Sequence, residues 1–400
     1  MGSLAFQRLW VLMVTAFVDM IGYMLILPLL PLYAKEYGAE PFTIGILLAA
    51  FAFAQLATSP IWGKVSDRIG RRPVILGGQC LAAVAFGVFA AADSVWLLLL
   101  SRLAQGAGGG TLSAVQAYVV DSAAPDERAR AIGWITACTS AGVMVGPGIA
   151  SVAVRWSTTA PGLIAAALCV LNIAFAWRWL PESAARERRE KEVIRRPIRR
   201  RVAAVLRQPT APAHTLIWIY AGGMLAFMSI AGLMSLYLSD HFGITKETIG
   251  GYFVVIGMVS VIMRALVLGF LVKHFGEVRV MRLGATALVI GLVSAPLAGG
   301  PWQFLLAIVF VPIGTALLFP STTSLISRHS DSSEMGQTLG VQQAFGGASR
   351  LLAPIWAGAV YQEYGRAMPF WISAGVMVLL GLVSLRLHPG ETLKQRLARR

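Results

Sequence analysis

The chain has little charge. Only 13% of its 400 residues are Asp, Glu, Lys or Arg, 56% are hydrophobic, and the mean hydropathy is +0.69. That balance lies outside the range of soluble globular domains and points to a polytopic membrane protein. Cysteine is equally scarce: Cys80, Cys138 and Cys169 stand singly inside apolar runs, without paired spacing or a nearby His cluster. A disulfide framework and a zinc site are therefore not expected. No nucleophile motif, phosphate loop or metal-ligand set occurs, so neither an enzyme nor a cofactor is expected. Acids are the scarcer sign, 19 against 34 basic residues, and Asp19 is the one acid placed well inside an apolar run.

What is present is a series of apolar runs, each about 20 residues long and thus able to cross a bilayer. They fall at 9–34, 43–62, 73–92, 95–120, 131–154, 159–180, 213–238, 248–272, 279–298, 302–327, 336–360 and 367–387. The predicted fold is all-α, with twelve transmembrane helices. Asp93 and Ser94 form a bare turn between the third and fourth. The first run is read as a spanning helix and not a cleaved signal, because it is too long and contains Asp19.

A net charge of +15 would suit a nucleic-acid partner in a soluble chain. Here the basic residues alternate sides instead. With a cytoplasmic N-terminus, Lys35, Arg155, Lys246 and Arg366 fall outside, Arg102, Arg264 and Arg350 fall within helices, and every other Lys and Arg falls inside. The positive-inside rule thus predicts a multi-pass protein with both termini cytoplasmic; a plasma membrane, more specifically a bacterial inner membrane, is the expected location. No nucleic-acid partner is expected.

The longest polar segment, 181–209, contains RERREKEVIRRPIRRR and divides the helices six and six. The expected domains are a bundle at 1–180, a cytoplasmic basic linker at 181–212, a second bundle at 213–388 and a basic tail at 389–400. The linker reads as a solvated tether drawn to anionic lipid by at most about a few kcal/mol, or as a specific partner site.

The halves repeat. YGAEPFTIG at 37–45 is echoed by FGITKETIG at 242–250, and GKVSDRIGRRPV at 63–74 by GFLVKHFGEVRV at 269–280. Gly133 and Pro147 return as Gly340 and Pro354. Three matches at nearly one offset imply two pseudo-symmetric six-helix bundles, related by an axis along the membrane normal.

In the segment 63–74, Gly63, Asp67, Arg68, Gly70, Arg71 and Arg72 are too polar for hydrocarbon and read as a tight loop at the membrane surface. The glycines would allow the turn. Asp67 could accept from backbone donors at a helix N-terminus, and the arginines could pair with acids. Because Lys273 stands where Asp67 does in the second copy, the arrangement should be one-sided. In the fifth run, Gly142 and Gly146 share one face and permit close helix approach, while Pro147 can bend the helix. Asp19 lies ten residues from Leu9, about 15 Å deep. Its expected partner is Arg102, about 20 Å from the inner edge, on a polar stripe with Gln105, Gly109, Ser113 and Gln116. A structural ion pair that never titrates is the alternative.

These residues resemble the major facilitator superfamily over essentially the whole chain. The segment 63–74 is similar to that family's loop motif G-x-x-x-D-R-x-G-R-R, which implies a cytoplasmic latch. Gly133, Gly142, Gly146, Pro147 and Ala150 resemble the fifth-helix signature of drug:proton antiporters, and FVDMIGYMLILPLLP is similar to the first helix of tetracycline-type pumps. The resemblance implies export of a small amphiphilic molecule in exchange for protons, driven by the proton gradient and coupled through Asp19 and Arg102. It also implies cavity-lining helices carrying Tyr23, Met24, Gln105, Gln116, Tyr220, Phe227, Met228, Phe304 and Arg350. Expected partners are the small-molecule substrate, protons and membrane lipids, with the chain a monomer. Acids that the tetracycline pumps carry in helices 3 and 9 are missing here, which disfavours tetracycline itself. An uncoupled facilitator of a metabolite, sugar or lipid, and a transporter-like membrane sensor, are the alternatives.

Overall fold

The computed structural model describes residues 3–109, 114–115, 117–119, 127–182, 198–208, 211–329 and 335–387. Gln116 and Ser113 lie outside the described residues. Every regular element described is helical. The first expected span is two helices, α1 (Ser3–Ile26) and α2 (Leu30–Glu36), interrupted at LPL. Pro28 supplies the reason, since it has no N–H and its ring crowds the carbonyl four residues back. There follow α3 (Pro41–Ile69), α4 (Arg71–Ala90), α5 (Val95–Gly109), α6 (Arg128–Trp156) and α7 (Ala160–Trp179).

The basic segment is not wholly a tether. Residues Ile198–Arg207 form a helix, α8, which packs on the helix Met335–Tyr364, and Val205 is buried. IRRRVAAVLR is made mostly of good helix formers with apolar residues recurring on one side, so this departure follows from its composition.

The remaining helices are α9 (Pro212–Phe242), α10 (Lys246–Ile262), α11 (Leu268–Phe275), α12 (Glu277–Ser294), α13 (Pro301–Ile308), α14 (Phe310–Arg328), α15 (Met335–Tyr364) and α16 (Met368–Ser384). A π turn at Met263–Val267 joins α10 to α11. The break between α13 and α14 falls at Val309, three residues before Pro312, whose ring would collide with the Ile308 carbonyl. Among the described residues, nine helical stretches are long and apolar enough to cross a membrane. Trp96, Trp156, Trp302 and Tyr364 sit exposed at helix ends, as interfacial anchors do.

Two compact units are defined by internal contacts: unit 1 is Met1–Glu192 with Ser235–Gly257, and unit 2 is Val193–Met234 with Met258–Arg400. In unit 1, α1 packs on α6 and α7, α4 on α5 and α7, and α3 on α5. In unit 2, α12 packs on α14 and α16.

The sequence repeat is visible in the backbone. Gly70 (φ 109°) and Gly276 (φ 77°) each end one helix and open the next, and Gly38 (φ 77°) and Gly243 (φ 66°) form a second left-handed pair in the short connections after α2 and α9. These left-handed values favour glycine, which is why the two repeats keep it there.

Candidate functional site

The basic segment is less of a loop than its composition predicts. Helix α3 runs through to Ile69 and α4 starts at Arg71, so Gly70 alone makes the turn. Gly63 lies within α3, with nothing within 4 Å of where a Cβ would stand, and is not a turn residue. Arg71 donates to Ser66 Oγ at 2.9 Å and pairs with Asp67 Oδ1 at 3.1 Å. The N–H of Arg71, at the first position of α4, donates to Glu182 Oε1 at 2.8 Å, and that of Arg72 lies 3.4 Å from the same oxygen. The carboxylate on the α4 N-terminus is therefore that of Glu182, in the place expected for Asp67. Asp67 sits four residues before Arg71 and bonds its side chain, whereas Glu182 approaches from beyond α7 along the helix axis. A Cβ on Gly70 would stand 2.6 Å from Glu182 Oε2. Arg72 donates from Nη2 to the Trp177 carbonyl, tying α4 a second time to the end of α7. Arg68 is exposed.

The second copy keeps the turn and changes the chemistry. Glu277, the first residue after Gly276, pairs with Arg328 at 3.0 Å and accepts from Ser324 Oγ at 2.7 Å.

In α6, Gly142 and Gly146 lie directly on α1. A Cβ on Gly142 would meet the Phe17 carbonyl oxygen at 2.7 Å and Met20 Cβ at 2.9 Å; one on Gly146 would meet Met24 Cβ at 2.6 Å. Met24 is thus at least partly packing surface for α6. Further along α6, the Pro147 carbonyl oxygen lies 2.2 Å from where a Cβ on Gly250 would be, and Ser151 Oγ accepts from the Gly250 N–H at 2.7 Å. Gly133 faces open space.

Arg102 is fully buried in unit 1. It donates from Nη1 to Gln105 Oε1, and its guanidinium lies 5.6 Å from the Tyr23 ring centroid and 5.1 Å from that of Phe51. Among the described residues its Nε and Nη2 have no hydrogen-bond partner, and neither does Gln105 Nε2. The expected pair with Asp19 is not formed. Asp19 instead lies near Gln79 of α4, whose buried side-chain amide makes no hydrogen bond among the described residues, and near Cys169 of α7. Helix geometry explains the correction, because a 5 Å difference in depth is about one turn, and one turn outward from Asp19 on the same face is Tyr23. Arg102 meets that residue. Close by, Thr15 Oγ1 donates to Asn172 Oδ1 at 3.4 Å, so a buried polar layer runs under α1 through Thr15, Gln79 and Asn172.

Phe304 is a second correction. It is completely buried, edge-on to Phe370 at 6.4 Å between centroids, and belongs to the core of unit 2, with no face left for a cavity. Tyr220 is 6% exposed and lies edge-on to Phe319 at 5.3 Å, while Phe227 meets the same ring at 6.4 Å. Arg350 and Met228 are half-buried.

Sequence reasoning missed Glu182, Gln79 and Phe51. Gln79 carried a signal, as a polar residue inside an otherwise apolar span. Glu182 and Phe51 carried none beyond their type.

A chain built of apolar spanning helices, with a duplicated glycine turn and buried polar groups, is a polytopic membrane protein in its architecture. A model of the Major Facilitator Superfamily matches residues 12–274 and 265–400, and the chain belongs to that family. It is 26% identical over 387 residues to the class E tetracycline resistance protein of Escherichia coli, covering 95% of each chain. It is 27% identical over 379 residues to Multidrug resistance protein 2 of Bacillus subtilis (strain 168), covering 93% of this chain and 92% of that one. The crystal structure of the human organic anion transporter MFSD10 (TETRAN) superposes with a TM-score of 0.72 at 21% identity, covering 95% of this chain and 99% of that one. The last likeness speaks for the fold alone. The protein is a multi-pass membrane transporter with drug-efflux relatives and is not an enzyme.

Proposed function

We propose that the protein exports a small amphiphilic molecule from the cytoplasm in exchange for protons by alternating access, in a bacterial plasma membrane with both termini inside. Relatives named for tetracycline and multidrug resistance support export of drug-like molecules. The observation that carries proton exchange is Asp19, set in a spanning helix near a neutral amide, Gln79, while Arg102 is engaged by Gln105, Tyr23 and Phe51 instead. A carboxyl group held this way can take up and release a proton without breaking a salt bridge, which suits a coupling residue in hydrocarbon. Arg102 then acts at one remove, through Tyr23 one turn away, and Gln105 holds its fork in place. The contact of Arg71 and Arg72 with Glu182 fixes the cytoplasmic ends of α4 and α7 as one block, as a latch requires.

A thermal-shift screen of the purified chain against diverse amphiphiles at two pH values identifies a cargo, because ligands stabilise the state they bind. With that cargo in proteoliposomes, an imposed pH gradient drives uphill movement by the native chain. Asp19→Asn abolishes the uphill component while cargo–cargo counterflow persists. Uphill export by Asp19→Asn at the native rate refutes the coupling role. Binding without any counterflow in the native chain would instead favour a sensor.

A further inference from the structure

Unit 2 holds two arginines inside spanning helices, Arg264 and Arg350, and both bear electrostatically on one side chain, Tyr220 of α9. Neither guanidinium makes a hydrogen bond or an ion pair among the described residues. The described acids of unit 2 are Glu277, which is committed to Arg328, and Glu363, thirteen residues along α15 from Arg350 and hence about 20 Å away. Two cations without acids inside a membrane span are costly unless they face water or meet an anion.

Backbone geometry turns both toward the same place. The exposed apolar stripe of this span is Met258, Ile262, Leu266 and Phe270. Arg264 lies two residues from both Ile262 and Leu266, so it leaves the helix on roughly the side opposite to that stripe, and it is itself exposed. It sits in the π turn Met263–Val267, a local irregularity that recurs at functional positions. On α15, Gln343, Gly346 and Arg350 share one face at three- and four-residue steps. Gly346 is where that face touches the tyrosine: a Cβ there would stand 2.7 Å from Tyr220 Cε1. Gln343 lies one turn below the contact beside the Tyr220 hydroxyl, and Arg350 one turn above. Tyr220 leans edge-on against Phe319, and Phe319 against Phe227, so an aromatic shelf adjoins the two cations.

Given the export reading above, we propose that Arg264 and Arg350, with Tyr220 and Gln343, form an oxyanion-binding subsite, and that the cargo is an acidic amphiphile. Its carboxylate, sulfonate or phosphate lies between the guanidinium groups and its apolar body lies on the half-buried Phe319 and Phe227. Guanidinium forks suit such groups because they offer paired donors in one plane.

The full chain, purified in a maltoside detergent, is titrated with 2-naphthoate, 2-naphthalenemethanol and 2-naphthylmethylammonium, and binding is read by calorimetry. The naphthoate binds best. Arg264→Gln and Arg350→Gln each weaken it by about tenfold or more, the scale of one charge-assisted hydrogen bond, and leave the alcohol unchanged. Tyr220→Phe weakens it a few-fold. Lys at either arginine position keeps the preference for the acid, which separates loss of the site from loss of the fold; the exposed-surface control Arg386→Gln changes nothing. Equal binding of alcohol and acid, or a preference for the acid that survives both Gln substitutions, overturns the proposal. Phosphatidylglycerol is titrated in parallel, and stabilisation by the lipid with none by naphthoate overturns the cargo assignment in favour of a headgroup. Counterflow in proteoliposomes is scored separately: if naphthoate binds through the two arginines but nothing is transported, the export reading fails and the anion subsite stands.

Discussion

The contact between α6 and α1 yields a quantitative test, because the glycines of α6 do different jobs. A methyl group added at Gly146 would be 2.6 Å from Met24 Cβ and 3.0 Å from the Ile21 carbonyl oxygen. Carbon atoms pack best at about 3.5–4.0 Å, so the two helices must part by roughly 1 Å at their crossing. A gap of that size removes a quarter to a half of the dispersion attraction along the seam, and overpacking of this kind costs about 1–3 kcal/mol. In hydrocarbon that loss is not offset by a hydrophobic driving force between helices, since lipid tails are as apolar as the side chains. Gly133 is the internal control. Nothing lies within 4 Å of its would-be Cβ, so Gly133→Ala should gain helix propensity of up to about 1 kcal/mol. The assay is thermal unfolding of the purified chain in detergent, followed by exposure of its cysteines to a thiol-reactive dye. Gly146→Ala should melt clearly below the native protein and Gly133→Ala at or slightly above it. If Gly146→Ala melts with or above Gly133→Ala, the close approach of α6 to α1 is not as described here.

Three further outcomes follow from single contacts. Glu182→Gln removes the charge that caps α4 and should cost about 1 kcal/mol, read as a lower melting temperature together with faster trypsin cleavage near Arg71; an unchanged cleavage rate contradicts the cap. Lys35 pairs with Asp240 at 2.5 Å within unit 1, and Lys35→Glu should lower stability by at most about 1 kcal/mol, with recovery in the Lys35→Glu/Asp240→Lys double variant and an effect that fades in high salt. Asp67→Asn should impair transport far more than Lys273→Gln, because Asp67 holds Arg71 whereas Glu277 makes the corresponding contacts in the second half; equal impairment counts against a one-sided latch.

The features legible in the sequence are those set by local chemistry. Apolar length marked the spans, prolines placed their breaks once the helices were seen, and the repeat marked Gly70 with Gly276 and Gly38 with Gly243 as turn positions, where the backbone is left-handed. Gly142 and Gly146 were legible because small residues one turn apart serve few purposes besides close packing. Polar pairing was not legible. Depth along a helix places Asp19 and Arg102 within one turn of each other, yet one turn decides whether an arginine meets a carboxylate or a phenol, and nothing local records it. The same holds for Glu182, whose role depends on where α7 ends relative to the start of α4. Phe304 was misread because an aromatic residue in a membrane helix has the same signature whether it faces a ligand or another ring. The π turn at Met263–Val267 carries no proline or other marker, so its effect on Arg264 is visible only in the structure.

The two halves therefore share a backbone plan and differ in which sign of charge is left without a partner. In the first, the deep acid Asp19 stands beside an amide and the deep cation Arg102 is boxed in by aromatic rings and Gln105. In the second, Arg264 and Arg350 stand open beside Tyr220, and no described acid of that unit shares their depth. The proposed exchange of a proton for an anionic amphiphile calls for this asymmetry. One group must change its charge in the membrane without collapsing onto a fixed counter-ion, and the cargo must supply the negative charge that fixed cations lack. On the proposed reading, proton and cargo would each meet a partner within its own unit, and coupling between them would be left to the conformational change.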